Sequence, residues 1–260
     1  VLSVLKIKKK IENDAQKSKY VLLATKNGVV KKTDIAAYDA IRKSGIIAIK
    51  LSPGDSLRWA KLTVGDDFVF LVSRHGLSIK FKETDVRPMA RDTMGVRGIK
   101  LKTDDELIGM DVITKEDINA DLLVITEKGI GKKTQISAWP MQLRGGVGVK
   151  AANLAEKTGN IVNAQILTKE DEGIILTSRK GQVMRTTLKS VPRLTRDTQG
   201  VIIMRLTGED KVSAATVVQK KKDDEEVLKL EKLTPTKKPA AQKPNIETKP
   251  LNKNLPKKKK

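Results

Sequence analysis

Cysteine is absent from the 260 residues, and histidine occurs once, as His75. The first absence removes disulfides, thiolate metal sites and thiol nucleophiles. The second removes clustered-imidazole zinc sites and leaves little room for a Ser-His-Asp arrangement. Aromatic residues make up only 3% of the chain. Readers of single-stranded nucleic acid stack bases on Phe, Tyr or Trp, and protein-binding hot spots favour Trp and Tyr, so the composition favours neither role. No apolar run approaches the length of a bilayer crossing, and no signal-peptide pattern opens the chain. The expectation is a soluble, cytoplasmic protein without a membrane partner. Val1 stands where an initiator Met is usual, which reads as a fragment or a processed chain.

What is abundant is positive charge: 52 Lys and Arg against 31 acidic residues, a net +21. The last 42 residues hold 14 basic and 6 acidic side chains, which leaves 38 and 25, or +13, on residues 1–218. The excess therefore belongs to the folded part as well as to the tail. A polyanion is the expected partner, and duplex DNA met through its phosphates suits the poverty in aromatics.

The chain also repeats itself. "VLLATKNGVVKKT" (21–33), "VFLVSRHGLSIKF" (69–81), "LVITEKGIGKKT" (123–134) and "IILTSRKGQVMRT" (174–186) each read as strand, turn and strand. Their turn glycines, Gly28, Gly76, Gly129 and Gly181, are 48, 53 and 52 residues apart. Three residues earlier stands a hydroxyl, Thr25, Ser73, Thr126 or Ser178, able to bond the turn backbone. A second glycine opens "GIIAIKL" (45–51), "GVRGIKL" (95–101), "GVKAANL" (148–154) and "GVIIMRL" (200–206), and an apolar strand closes each unit. Four short strands per unit of about fifty residues predict an all-β array of propeller blades. The blades are placed at 20–64, 68–115, 121–168 and 173–218. Residues 1–14 are read as the closing strand and loop of an upstream blade, and 219–260 as a disordered Lys- and Pro-rich tail.

Two sets of cations share a blade position. Lys32, Lys80, Lys133 and Arg185 lie four residues after the turn glycines, and Lys26, Arg74 and Arg179 two residues before them; Glu127 breaks the second series. Single surface lysines are ordinarily just solvated. A cation recurring at regular intervals around a ring instead suits a curved phosphate backbone, so both sets are expected at the DNA, exposed. Other motifs carry less. "GIGKKT" (129–134) lacks the first glycine of a nucleotide loop and its hydroxyl after Gly-Lys, His75 reads as a turn residue, and Asp104, Asp105 and Glu106 as a surface turn. No catalytic residue, metal site or cofactor site is expected.

These repeats resemble the C-terminal domain of DNA gyrase A and, more loosely, that of topoisomerase IV. "FKETDVRPMARDTMGVRGIKL" (81–101) is the most specific stretch, supported by "NGVVKKT" and "RDTQGVIIMRL". The resemblance covers residues 1–218. It implies a β-pinwheel, a propeller whose blades exchange strands, with a basic rim that wraps duplex DNA. It further implies a non-catalytic part of an ATP-dependent type II topoisomerase, working at the nucleoid. The implied partners are the upstream cleavage domain of the same polypeptide and the separate ATPase polypeptide of the enzyme. "QLRGGVG" (142–148) is similar to the family's wrapping box: Gln142, Arg144, Gly145, Gly146 and Gly148 match, while Leu143 and Val147 stand where the box is basic. It is read as a degenerate copy, with the intact box expected upstream. The competing reading is a propeller scaffold for protein partners.

Overall fold

The computed structural model describes residues 19–39, 44–115, 117 and 119–220. The strand expected at residues 1–7 and the tail beyond Lys220 lie outside the described residues. Four repeats follow one another. The first supplies β1 (Tyr20–Thr25), β2 (Val29–Asp34) and β3 (Leu57–Thr63); the second β4 (Phe68–Ser73), β5 (Leu77–Lys82), β6 (Val96–Arg97) and β7 (Leu107–Ile113). The third supplies β8 (Asp121–Thr126), β9 (Ile130–Gln135), β10 (Val149–Lys150) and β11 (Ile161–Ile166). The fourth has β12 (Asp171–Ser178), β13 (Val183–Thr187), β14 (Val201–Ile202) and β15 (Val212–Gln219), so its last strand runs one residue past the expected end of the blade. A single 3-10 turn follows the second strand of each repeat, beginning at Ile35, Glu83, Ile136 and Leu188.

The turn chemistry sets the hairpins. Gly28, Gly76, Gly129 and Gly181 all hold positive φ, between 75° and 86°, where a side chain would be strained. The hydroxyl before each turn does bond its backbone: Thr25, Ser73 and Ser178 accept from the amides of Val29, Leu77 and Gln182, and Thr126 donates to the carbonyl of Ile130. The first strands of the second and third hairpins are apolar on both faces because each face meets a different blade. Leu22 and Ala24 pack with Val69, Leu71 and Phe81 of the second blade, and Phe70 and Val72 pack with Leu122, Val124 and Trp139 of the third. Leu123 and Ile125 pack in turn with Ile174 and Leu176 of the fourth. Each core thus lies between two blades, as in a stacked array.

The sheets do not coincide with the repeats. Their orders are β3-β1-β2-β6, β7-β4-β5-β10, β11-β8-β9-β14 and, in the last, β15-β12-β13. The two-residue strand after the second glycine of the second, third and fourth repeats therefore belongs to the preceding blade, pairing Val96 with Val30, Val149 with Ser78 and Val201 with Gly131. The closing strands of neighbouring blades touch one another, which sets them at the inside of the arc. The exchanged strands lie at the opposite edge, its outer perimeter.

Candidate nucleic-acid interface

Three of the four cations placed four residues after the turn glycines are not where the spacing put them. Lys32 and Lys80 are only 3% and 8% exposed. Lys32 Nζ donates to the Glu83 carbonyl at 3.1 Å and lies 3.5 Å from the Glu83 carboxylate, 5.0 Å above the Tyr20 ring. Lys80 Nζ donates to Ile136 O at 3.2 Å, and burial holds its ammonium below the usual lysine range. Lys133 Nζ donates to Leu188 O at 2.7 Å. Each acceptor is the first residue of the 3-10 turn one blade on. The series is a set of latches between blades, and its regular spacing reports the blade interface rather than a row of phosphates. Arg185, at the same position in the last blade, is exposed.

Of the cations two residues before the glycines, Lys26 and Arg74 are engaged as well. Lys26 and Arg74 flank Glu106 at 3.5 and 3.6 Å, and Arg74 meets Glu127 at 2.9 Å, while Glu127 also takes Lys211 at 3.3 Å. Glu127, a break in a basic series when read as sequence, is the link of an alternating charge chain across the blades. Asp105 bonds the amide of His75, so this acidic cluster braces turns and an ion pair. Among the described residues no group of His, Asp or Glu is placed to hold a metal. Arg179 is exposed, like Arg185.

The stretch 142–148 forms a turn leading into β10. Gly145 and Gly148 hold φ of +80° and +82°, and a Cβ at Gly148 would fall 2.4 Å from the Ser78 carbonyl. Gly146 presents its carbonyl to the amide of Lys100 at 2.8 Å, and Gln142 donates its amide to Lys80 O at 2.9 Å. Arg144 reaches back one repeat, with Nε on Asp85 O at 2.8 Å and Nη1 on Arg97 O at 3.3 Å. Its counterparts four residues before the other second glycines do likewise. Arg196 Nη1 donates to Lys150 O at 3.0 Å and Arg91 Nη1 to Ile47 O at 3.5 Å. These arginines stitch consecutive perimeter segments together. Leu143 and Val147, at the positions where the box is basic, are 79% and 49% exposed.

Beneath two of these loops lies a lysine that the repeat spacing did not single out. Lys132 is fully buried, and its Nζ donates to the carbonyls of Thr195, Arg196 and Thr198 at 2.7 to 3.0 Å. Burial lowers its pKa to about 8. Lys31 does the same for the first Arg-Asp-Thr loop, donating to Arg91 O and, at 2.8 Å, to Ala48 O. Under the Arg-Gly-Gly loop the equivalent residue is Ile79, which lies directly below Gly146.

The exposed cations of the perimeter are a different set, timed from the second glycine of each repeat. Two residues on stand Arg97 and Lys150; five residues on stand Lys50, Lys100 and Arg205, all exposed. Arg87 adds to them between the first two blades.

A family model described as DNA gyrase C-terminal domain, beta-propeller, matches residues 19–63, 67–114, 120–168 and 174–219. The chain belongs to this gyrase C-terminal domain family. DNA gyrase A of Staphylococcus epidermidis is 34% identical over 205 residues, which is 79% of this chain and 23% of that protein. The chain spans about a quarter of the length of the curated relatives it matches. A crystal structure of the C-terminal domain of DNA topoisomerase IV aligns with a TM-score of 0.73 at 26% identity, over 85% of this chain and 68% of that one. A structure of the DNA gyrase A C-terminal domain aligns at 0.66 and 29% identity, over 78% of this chain and 67% of that one. The strand exchange that the resemblance implied is the topology found, and the family fold is the all-β pinwheel.

Proposed function

We propose that the chain is a non-catalytic region of a type II topoisomerase, most closely gyrase A, that binds duplex DNA and bends it around the outer perimeter of the blades. The observation that carries this reading is the recurrence of exposed cations on the exchanged strands and just after them: Arg97 and Lys100, then Lys150, then Arg205, one blade after another. Each strand of duplex DNA carries one phosphate per about 3.4 Å of helix axis, so a convex row of cations meets them in number without reading bases. Bending a 20–30 bp site smoothly costs on the order of 1–6 kcal/mol, which several contacts offset and one does not. The exposed Arg179 and Arg185 extend the positive field of the last blade.

In this reading the partners are the cleavage domain of the same polypeptide and the separate ATPase polypeptide, no cofactor is bound by this region, and the protein works at the nucleoid. A protein-binding scaffold is the second reading, supported by the exposed Met141, Leu143 and Val147 beside Arg144. The two are separated by end-to-end energy transfer on a short duplex labelled at both termini. The DNA reading expects transfer to rise on saturation with this chain, and to rise alike for unrelated sequences of equal length. Binding without a change in transfer would remove the wrapping claim, and no binding at low salt would remove the DNA claim.

A further inference from the structure

Within its row of cations the perimeter leaves apolar side chains exposed. Leu143 is 79% exposed, the highest value among the large apolar residues described, and Val147 and Met141 of the same loop are 49% and 44% exposed. Single exposed apolar residues are ordinary on a surface, but three within seven positions are not. Their setting is fixed. Gln142 and Gly145, on either side of Leu143, donate their amides to Lys80 O at 2.9 Å and to Gly98 O at 2.6 Å. Ile79 fills the space beneath the loop, so Leu143 has no place to fold inward.

A large apolar side chain at the place of Leu143 is particular to this loop, since Ala90 and Thr195 stand there in the flanking repeats. Val147 has an apolar counterpart one blade earlier in Met94, also 49% exposed. Each of these two lies three residues before a perimeter cation, Lys150 or Arg97. Arg144 Nη1 on Arg97 O and the Lys100 amide on Gly146 O hold the loop beside the cations of one blade, and β10 carries it on to Lys150 of the next. A partner for this surface is a polyanion that also offers apolar groups inside its charged outline.

Resting on the DNA reading above, we propose that Leu143 and Val147 enter the major groove of the bound duplex and lie on thymine methyl groups, which gives this loop a preference for thymine. Bending DNA around a convex surface narrows the groove that faces it. The minor groove, about 6 Å wide before bending, leaves no room for two side chains of a folded-back loop, whereas the major groove of about 12 Å admits a two-stranded ribbon. The apolar group that projects into the major groove is the C5 methyl of thymine. Over any other base edge Leu143 would cover donors and acceptors and leave them without water. The phosphates on the two lips of the groove fall to Arg97, Lys100 and Lys150. An arginine in place of Leu143 or Val147 is long enough to reach those lips, exchanging the methyl contact for a salt-dependent one. The preference is one of affinity; the bend at saturation is set by the cations and is alike for unrelated sequences.

Two duplexes of one sequence test this, the first carrying thymine and the second deoxyuridine at every thymine position, so that they differ by the methyl group alone. Titrated with the whole chain, the thymine duplex is expected to bind tighter by about fourfold for each methyl covered, the equivalent of about 0.8 kcal/mol. Lysines beyond Lys220 meet phosphates, which the two duplexes share, and drop out of the ratio. Leu143→Ser with Val147→Ser should bring the ratio to one and keep the wild-type affinity for the uracil duplex, which also certifies its fold. Equal wild-type affinities for the two duplexes would overturn the proposal and leave the DNA reading standing. A thymine preference that survives in the double variant would overturn it too, as would a variant that loses the uracil duplex as well, since the two side chains would then serve the fold. Failure of the wild type to bind either duplex at low salt would remove the DNA reading, and this inference with it.

Discussion

Lys80 and Ile136 stand 56 residues apart in the chain and one blade apart in the fold, joined by an ammonium-to-carbonyl hydrogen bond of 3.2 Å. The same bond joins Lys32 to Glu83 and Lys133 to Leu188. A cation that looks like a DNA contact in the repeat alignment is thus a fastener between blades. Lys80→Met keeps the apolar stem and deletes the donor; the Ile136 carbonyl keeps the Trp139 amide at 3.2 Å, so the loss is one charge-assisted hydrogen bond, about 1.5–3 kcal/mol. Chemical denaturation should show that loss. The salt dependence of duplex binding should stay as in the wild type.

Lys32 is predicted to matter more. The Glu83 carboxylate beside it is fully buried and also accepts from Thr63 Oγ1 at 2.7 Å and from the amides of Gly65 and Asp67 at 3.1 and 3.2 Å. Removing one partner of a buried ion pair typically costs about 3–5 kcal/mol. Lys32→Met should therefore destabilise more than Lys80→Met in the same denaturation series. Equal losses would mean that the carboxylate is sustained by Thr63 and the two amides alone.

Lys132 gives a pH signature. Its folded pKa of about 8 lies below the ordinary lysine value, so between pH 8 and that value the unfolded chain binds the extra proton. Stability from this residue therefore rises with pH across that window, by up to about 1.4 kcal/mol per pH unit. Below about pH 8 both states are protonated and the contribution is flat. Comparing wild type with Lys132→Met isolates the effect from the other lysines. The wild type should gain on the variant as pH goes from roughly 7.5 to 9.5, and a constant difference would contradict a buried ammonium that titrates early.

The repeats, the turn glycines and their hydroxyls were legible in the sequence because each is a local demand of hairpin backbone. The perimeter was not, because the alignment was timed from the first glycine of each unit. Timed from the second, Arg91, Arg144 and Arg196 fall into one column and Lys50, Lys100 and Arg205 into another. Burial of Lys31, Lys32 and Lys132 was hidden for a different reason: charge reads as exposure unless carbonyls from another repeat are known to surround it. Glu127 likewise gained its meaning only from Arg74 and Lys211, 53 and 84 residues away.

The loop at 141–148 offers a gain-of-function test of the proposed interface. Leu143 and Val147 are exposed, so arginine fits at either without repacking. Leu143→Arg with Val147→Arg should tighten duplex binding and steepen the slope of log affinity against log salt by roughly 0.9 per new phosphate contact. Stability should hold within about 0.5 kcal/mol, as at most surface positions. Affinity unchanged at low salt would place this loop away from the DNA path.

The perimeter claim is tested most directly by comparing two charge removals in a duplex titration at several salt concentrations, using residues 1–220 so that the lysine-rich tail does not bind on its own. One variant replaces the exposed Arg97, Lys100, Lys150 and Arg205 with Gln; the other replaces the internal Lys80 with Met. If each perimeter cation meets one phosphate, the first variant should make the salt slope shallower by roughly 0.9 per lost contact, with stability little changed. The second should lose stability and keep the slope. An unaltered slope in the perimeter variant would contradict DNA lying along the exchanged strands.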